Sequence, residues 1–336
     1  MNRLPLSRLG RIIYVCGPRA LLLPVLASAL IAQPQPAGPT PPVAATAAAP
    51  ALKPMGTVLF IGNSFLFGSG SALRFHRAHT VTDLNGGGIG GVPAVFKTFA
   101  TQAGLDFNVS LETVGGSGLD LHLAQKLHLI GRAWDRVVMQ SQSLLNTAQP
   151  GNPDLLIRSA KQLAELLHGK NPAVDIRLIS TWSRADQVYP AKGHWHGQPI
   201  EQMAKDVRAA YDRAAATTPV IRGVIPVGEA WNRAFKTGVA DPNPYDGVAF
   251  GQVDLWAHDQ WHASTYGYYL EALVIFGDLT GLDPRSLGKD ERSAFELGLS
   301  PAQTTALQQV AFDELAAQNP TRKLESFTPV SLGKKG

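Results

Sequence analysis

Residues 57–68 read TVLFIGNSFLFG, an apolar run that ends abruptly at Gly62-Asn63-Ser64. A run of this length and composition is typical of a buried strand, and the small polar tripeptide marks the turn after it. In parallel α/β sheets, active sites gather where the strands end. Ser64 is therefore either a turn residue or a nucleophile, and the remainder of the chain distinguishes the two.

Further apolar runs alternate with amphipathic stretches along the chain. The predicted strands are 57–61, 107–114, 135–140, 174–181 and 220–226, and the predicted helices are 92–103, 118–131, 153–168, 199–217, 264–280 and 302–317. Strands rich in Val, Ile and Leu that alternate with helices indicate a parallel sheet covered on both faces. We expect an α/β fold, a three-layer α/β/α sandwich with a parallel sheet of about five strands.

The charge of the chain has a local origin. The sequence has 30 Lys and Arg against 26 Asp and Glu, and residues 1–32 contain four arginines and no acid. Without those four arginines the two signs are equal in number. No basic stripe remains that would suit nucleic acid or an anionic membrane surface, so we expect neither as a partner.

The first part of the chain has the layout of an export signal. Arginines precede the apolar run ALLLPVLASALIA at 20–32, which has the length of a signal-peptide core. We predict a signal peptide over 1–32 and a Pro/Ala-rich linker over 33–55. The folded domain is predicted over 56–336, with its core at about 56–285. The protein would be periplasmic or secreted, or membrane-anchored if the leader is not cleaved.

Cysteine chemistry is absent from the predicted mature chain. The one cysteine, Cys16, lies in the leader, so any nucleophile has to be of another type. Ser64 needs a base to take its proton, and the segment HDQWHASTYGYYLEA at 258–272 offers His262. Asp259 lies three residues earlier, where one helical turn would let its carboxylate orient the imidazole.

An acyl-transfer site also needs hydrogen-bond donors for the oxyanion. Gly116, which follows the second predicted strand, can present its N–H without an obstructing side chain. Gln140 and Gln142 follow the third strand and carry amide NH2 groups. The N–H of Ser64 is the remaining candidate.

These blocks together resemble the SGNH (GDSL-type) hydrolases, a superfamily of esterases, lipases and carbohydrate deacetylases. Gly62-Asn63-Ser64-Phe65 fits the first block, Gly116 the second and Asp259-Gln260-Trp261-His262 the last. The third block departs from the family, because Met139-Gln140-Ser141-Gln142-Ser143 replaces its usual asparagine motif.

The resemblance implies a flavodoxin-like fold and an ester hydrolase that needs no cofactor and no metal. It implies the triad Ser64, His262 and Asp259, and oxyanion donors from Ser64, Gly116 and Gln140, with Gln142 as the alternative to Gln140. The residues predicted to contact substrate are Asn63, Gln142, Trp182 and Trp261. The expected substrate is a small-molecule or saccharide ester, with carbohydrate O-acetyl esters favoured over small lipidic esters.

Three other functions remain open on the sequence. The altered third block suits an exported carbohydrate-binding protein that has kept the fold and lost the chemistry. His194 and His196 permit a metal-dependent hydrolase, although no carboxylate cluster accompanies them. Gly86, Gly88 and Gly91 match a dinucleotide-binding pattern but follow a polar segment in place of a buried strand, so we expect a loop beside the site.

Overall fold

The computed structural model describes residues 51–330. The predicted signal peptide and the predicted linker as far as residue 50 lie outside the described residues. Within the described residues, no helix combines the length and the apolar character needed to cross a membrane.

Six parallel strands form one sheet. They are β1 (Lys53–Gly62), β2 (Thr82–Asp83), β3 (Leu105–Thr113), β4 (Arg136–Met139), β5 (Asp175–Ser180) and β6 (Ile221–Pro226), in the spatial order β2-β3-β1-β4-β5-β6. The five predicted strands are confirmed. The two-residue edge strand β2 was not predicted, because it pairs only with β3 and its segment is polar.

Helices cover both faces of the sheet. They are α1 (Ser64–Phe67), α2 (Gly91–Gln102), α3 (Leu119–Gln125), α4 (Leu127–Ile130), α5 (Asp154–Lys170), α6 (Ala185–Val188), α7 (Ile200–Ala216), α8 (Val227–Lys236), α9 (Thr265–Thr280), α10 (Arg292–Glu296) and α11 (Pro301–Gln318). All six predicted helices form, one of them divided into α3 and α4. The α/β architecture with a parallel sheet is as expected.

The quoted apolar run forms the centre of the sheet. Val58, Leu59, Phe60 and Ile61 are fully buried because β1 lies between β3 and β4 and has helices on both faces. The strand begins at Lys53, inside the segment that composition assigned to the linker. Burial of this run contributes about 2 kcal/mol for each large side chain.

The core extends beyond the predicted limit at residue 285. Helix α11 packs on α9 and buries Leu307, Val310 and Ala311. A Ser300–Gln303 capping box starts α11, which satisfies two backbone donors that the helix itself leaves free. The C-terminal segment therefore completes the helical layer behind α9.

The carboxyl ends of β1 and β3 lie side by side. Gly62 pairs with Thr113 at the last position of their register, and the Val114 N–H continues the ladder by donating to Gly62 O at 3.0 Å. The loops that follow these two strands therefore start as neighbours. This edge of the sheet holds the candidate site.

Candidate active site

Ser64 occupies the sharp turn between β1 and α1. Asn63 caps the short helix, and its side-chain oxygen accepts from the Phe65 N–H at 3.1 Å. Ser64 is 8% exposed, and within residues 51–330 no partner hydrogen-bonds its hydroxyl. Its hydroxyl is thus uncommitted at a strand end, as a nucleophile requires.

Asn63 ties the strand-end loops together. Its amide nitrogen donates to Ser117 O at 2.9 Å and to Ser141 O at 3.1 Å, after β3 and β4 respectively. Both donor hydrogens and the acceptor are used inside the protein, and the side chain is buried. Asn63 was predicted to contact substrate, but these bonds give it a part in fixing the Ser64 turn.

Asp259 holds the imidazole of His262. Asp259 Oδ2 lies 2.6 Å from His262 Nδ1, and Asp259 Oδ1 accepts the His262 N–H at 2.9 Å. The two residues lie in a turn before α9, where a helical turn was expected, and Gln260 between them has a φ of 61°. The turn is closed by the Ala257 N–H, which donates to His262 O at 2.7 Å.

These hydrogen bonds keep the Asp259 carboxyl ionised. Partial burial acts to raise its pKa, but the side-chain and backbone hydrogen bonds from His262 outweigh that effect and hold the pKa of Asp259 below its usual value. An ionised carboxylate at Nδ1 stabilises an imidazolium when His262 gains a proton.

The other nitrogen of His262 is open. Nε2 is buried and has no hydrogen-bond partner among the described residues. The imidazole packs edge-on against the ring of Phe65, the residue after Ser64, at 5.6 Å between centroids. The structure thus places His262 beside the α1 turn without joining it to Ser64 by a hydrogen bond; such bonds are often long in free enzymes.

Tyr268 braces the same turn and was not identified from the sequence. Its hydroxyl donates to Ser64 O at 3.1 Å and to Ser69 O at 3.0 Å. A tyrosine in a buried helix such as α9 is typical of a core residue, so the sequence carries no signal for this contact.

Two backbone donors are free at the strand ends. Within the described residues, neither the Ser64 N–H nor the Gly116 N–H has an acceptor. Gly116 is exposed with a φ of 72°, a left-handed conformation that glycine adopts without strain. Both groups are therefore available to an oxyanion.

The two glutamines differ in burial, although the amide groups of both are hydrogen-bonded. Gln140 is fully buried, its Oε1 accepts from the Asn63 N–H at 3.2 Å, and its amide nitrogen donates to Ser141 O. Gln142 is half-buried, its Nε2 donates to Gly116 O at 3.3 Å, and its Oε1 accepts from Thr147. Gln142 is thus the glutamine beside the free Gly116 N–H.

The two tryptophans predicted to contact substrate differ in their exposure. Trp182 is fully buried and stacks between Phe65 and Trp231, with centroids 4.3 and 4.6 Å away. Its indole N–H donates to Trp261 O at 3.2 Å. Trp261 is 38% exposed and stacks on His262, so of the two tryptophans it is the one in contact with solvent.

The loop that carries His194 and His196 is held in place by Trp195, which lies between them. Trp195 is buried and donates to Asp206 at 2.8 Å, while His196 Nδ1 lies 3.0 Å from Tyr189 O. Nowhere in the described part of the chain do three His, Cys, Asp or Glu side chains group so that they can share a metal ion.

The glycine-rich segment is exposed at Gly86 and Gly88 and close-packed only at its end. Gly91 starts α2 with a φ of 61°, and a Cβ there would lie 2.5 Å from Leu66 O of α1. Asp83 organises the turn before it by accepting from the Gly87 N–H at 2.9 Å. The segment thereby packs α2 against the Ser64 turn.

Comparison with solved structures places this fold among known ones. A DUF4886 family protein from Bacteroides uniformis is 18% identical, with a TM-score of 0.54 over 81% of this chain and 98% of that chain. A GDSL-like lipase from Parabacteroides merdae (16% identity, TM-score 0.49) covers 68% of this chain and 97% of its own. An acetylxylan esterase from Geobacillus stearothermophilus (15%, TM-score 0.46) covers 68% and 96%.

The solved structures that resemble this chain thus include proteins described as a GDSL-like lipase and an acetylxylan esterase. At these identities the likeness concerns the fold. No family model and no curated protein matches the sequence.

Proposed function

We propose that this protein is a serine ester hydrolase with Ser64 as nucleophile, His262 as base and Asp259 as the orienting acid. The observation that carries the proposal is the state of His262. Its Nδ1 is held by a carboxylate, while its Nε2 is buried beside the Ser64 turn and has no hydrogen-bond partner in the part of the chain that the structure describes. Leaving a buried polar atom unpaired costs about 1–3 kcal/mol, which is understandable where that atom has to receive a proton during a reaction.

In the proposed reaction His262 Nε2 takes the proton of Ser64 Oγ as Oγ attacks the ester carbonyl. The oxyanion is stabilised by the N–H groups of Ser64 and Gly116. His262 then donates its proton to the departing alcohol. A water molecule, deprotonated by the same nitrogen, attacks the acyl-enzyme, and His262 returns that proton to Ser64 Oγ as the acid leaves.

We assign the third oxyanion donor to Gln142. The exposure of its amide and its position beside Gly116 support this assignment. Gln140, the choice favoured from the sequence, is fully buried, whereas the Gln142 amide only has to give up its 3.3 Å hydrogen bond to Gly116 O to reach an oxyanion.

We further propose a carbohydrate O-acetyl ester as substrate. The support is the Trp261 side chain, which is 38% exposed beside His262, because sugar rings pack against exposed aromatic side chains. His262 and the Arg184 guanidinium both lie over the Trp261 ring, at 4.6 and 4.5 Å, and hold it in place. A protein that binds saccharide without hydrolysing it would use the same face, so the chemistry has to be tested directly.

The test is labelling of the full chain with a fluorophosphonate, followed by peptide mass mapping. We expect stoichiometric label on Ser64, lost in Ser64→Ala and in His262→Ala. His258→Ala is the matched control, because His258 is an exposed histidine in the same segment and its loss should leave labelling unchanged. A folded wild-type protein that takes no label would contradict the proposal, and saccharide binding would then become the leading function.

A further inference from the structure

A second serine–histidine–carboxylate group lies at the end of β3. Glu112 Oε2 is hydrogen-bonded to His122 Nδ1, and His122 Nε2 lies 2.8 Å from Ser117 Oγ. The side chains of Glu112 and His122 are fully buried, and Ser117 is 4% exposed. The group therefore matches a catalytic triad in its order of contacts but is shut away from solvent.

The surroundings of Ser117 do not suit a nucleophile. Its Oγ lies 2.8 Å from Val114 O, a carbonyl that can only accept, and 2.8 Å from His122 Nε2. The hydroxyl thus has one proton for two neighbours. Because Ser117 is also buried, its oxygen has no opening towards a substrate, and we do not assign the group to nucleophilic catalysis.

The group instead controls the turn that carries Gly116. The turn from Val114 to Ser117 is closed by the Ser117 N–H, which donates to Val114 O at 3.2 Å. The Ser117 hydroxyl makes a second hydrogen bond to that carbonyl. His122 in α3 is hydrogen-bonded to the Ser117 hydroxyl, and Glu112 in β3 is hydrogen-bonded to His122. The turn is thereby fastened to both a strand and a helix.

The same turn reaches the Ser64 side of the site. Ser117 O accepts from the Asn63 side-chain amide at 2.9 Å, and Asn63 caps α1, which begins at Ser64. A shift of Ser117 would thus move the Gly116 N–H and loosen the cap that orients the Ser64 N–H.

We propose that Glu112, His122 and Ser117 are positioning residues that aim the two backbone donors at the oxyanion. The inference rests on the proposed ester hydrolysis. Displacing donors by about 1 Å costs up to about 100-fold in rate, and the effect falls on kcat because the oxyanion forms only in the transition state.

The test exploits a pair of substitutions with the same shape. Ser117→Thr keeps the hydroxyl, and Ser117→Val replaces it with a methyl group at equal volume, so steric effects cancel between them. We expect the Val variant to lose about 10- to 100-fold in kcat relative to the Thr variant on p-nitrophenyl acetate, with KM within about twofold. Thr304→Val is the control, because it removes a buried hydroxyl that bonds within α11.

Equal kcat values for the Thr and Val variants would overturn the inference. Ser117→Ala provides the same comparison with the wild type if neither larger side chain is accommodated, and unchanged kcat there would count equally against it. Failure of the proposed function has a separate signature, namely a wild-type protein without ester turnover and without label on Ser64. Label on Ser117 would overturn both.

Discussion

Two histidine–carboxylate pairs of this protein, Glu112–His122 at the end of β3 and Asp259–His262 in the turn before α9, differ in the hydrogen bonding of the second ring nitrogen. In the first pair, both ring nitrogens of His122 are hydrogen-bonded. In the second, His262 has Nδ1 bonded, and its Nε2 has no hydrogen-bond partner within residues 51–330. A completed chain of hydrogen bonds holds a structure in place, whereas an open end retains the capacity to exchange a proton.

The two pairs also differ in their exposure to solvent. The Asp259 side chain is 31% exposed and that of Glu112 is not exposed at all. A buried carboxylate paired with an imidazole is costly to disturb, because removing one charge leaves the other uncompensated. Loss of the Asp259 charge should therefore affect chemistry most, and loss of the Glu112 charge should affect stability most.

The largest effect is expected from Asp259→Asn. The amide cannot stabilise the imidazolium or fix its tautomer, so kcat should fall by roughly 10³- to 10⁴-fold with little change in melting temperature. In Glu112→Gln we expect the opposite balance, a loss of about 3 kcal/mol in unfolding free energy and a smaller decrease in kcat. Steady-state kinetics and urea unfolding on both variants provide the measurement.

The comparison breaks if the two variants behave alike. A Glu112→Gln protein as stable as the wild type would show that the buried pair carries no net charge interaction. A normal kcat in Asp259→Asn would show that Asp259 is not part of a catalytic triad and that its hydrogen bond to His262 has no catalytic role.

A smaller effect should appear in the acid stability of the protein. Burial acts to raise the pKa of Glu112, but the hydrogen bond from His122 and contributions from Asn85 and Lys126 outweigh it and lower that pKa below its usual value. A carboxyl with a lowered pKa stabilises the fold at neutral pH, and the stabilisation is lost as the pH falls below about 4 towards the pKa of the folded state.

Titration of Glu112 should therefore lower the unfolding free energy of the wild type by up to about 1.4 kcal/mol for each pH unit below that point. In Glu112→Gln the unfolding free energy should fall less steeply with falling pH. Urea unfolding between pH 6 and pH 3 measures the two slopes. Asp106→Asn is a suitable control, because that carboxylate is half-exposed and pairs with Lys97 at the surface. Parallel slopes for the wild type and Glu112→Gln would contradict the assignment.

The sequence predicted the sheet well because its signal is local. Each of the five predicted strands contains a short apolar run, and that pattern is independent of distant residues. Helix α8 was not predicted, since it begins directly after Pro226 at the end of β6, with no loop to mark a boundary. Strand β2 exists only through its pairing with β3.

Contacts in the candidate site were predictable only where chemistry shows in residue type and position. Ser64 and His262 were identified from such signals, and the predicted contact between Asp259 and His262 is present although their turn is not helical. The link between Glu112 and His122 depends on how α3 packs over β3, which no local pattern encodes. Trp182 illustrates the converse, because a strand-end tryptophan gives no indication that a stack of rings will bury it.

The smallest effect is expected at Trp261, whose ring covers His262 in the open group and has no counterpart in the buried one. Its ring lies 4.6 Å from that of His262, and its exposed face supplies stacking area and no reacting atom. Trp261→Ala should therefore raise KM for an acetylated saccharide about fivefold, which corresponds to about 1 kcal/mol, and leave kcat nearly unchanged. Phe250→Ala is the control, since Phe250 is also an exposed aromatic residue. A fall in kcat at constant KM would instead make Trp261 a residue that holds the imidazole, and the distinction between the two groups would then lie in Nε2 alone.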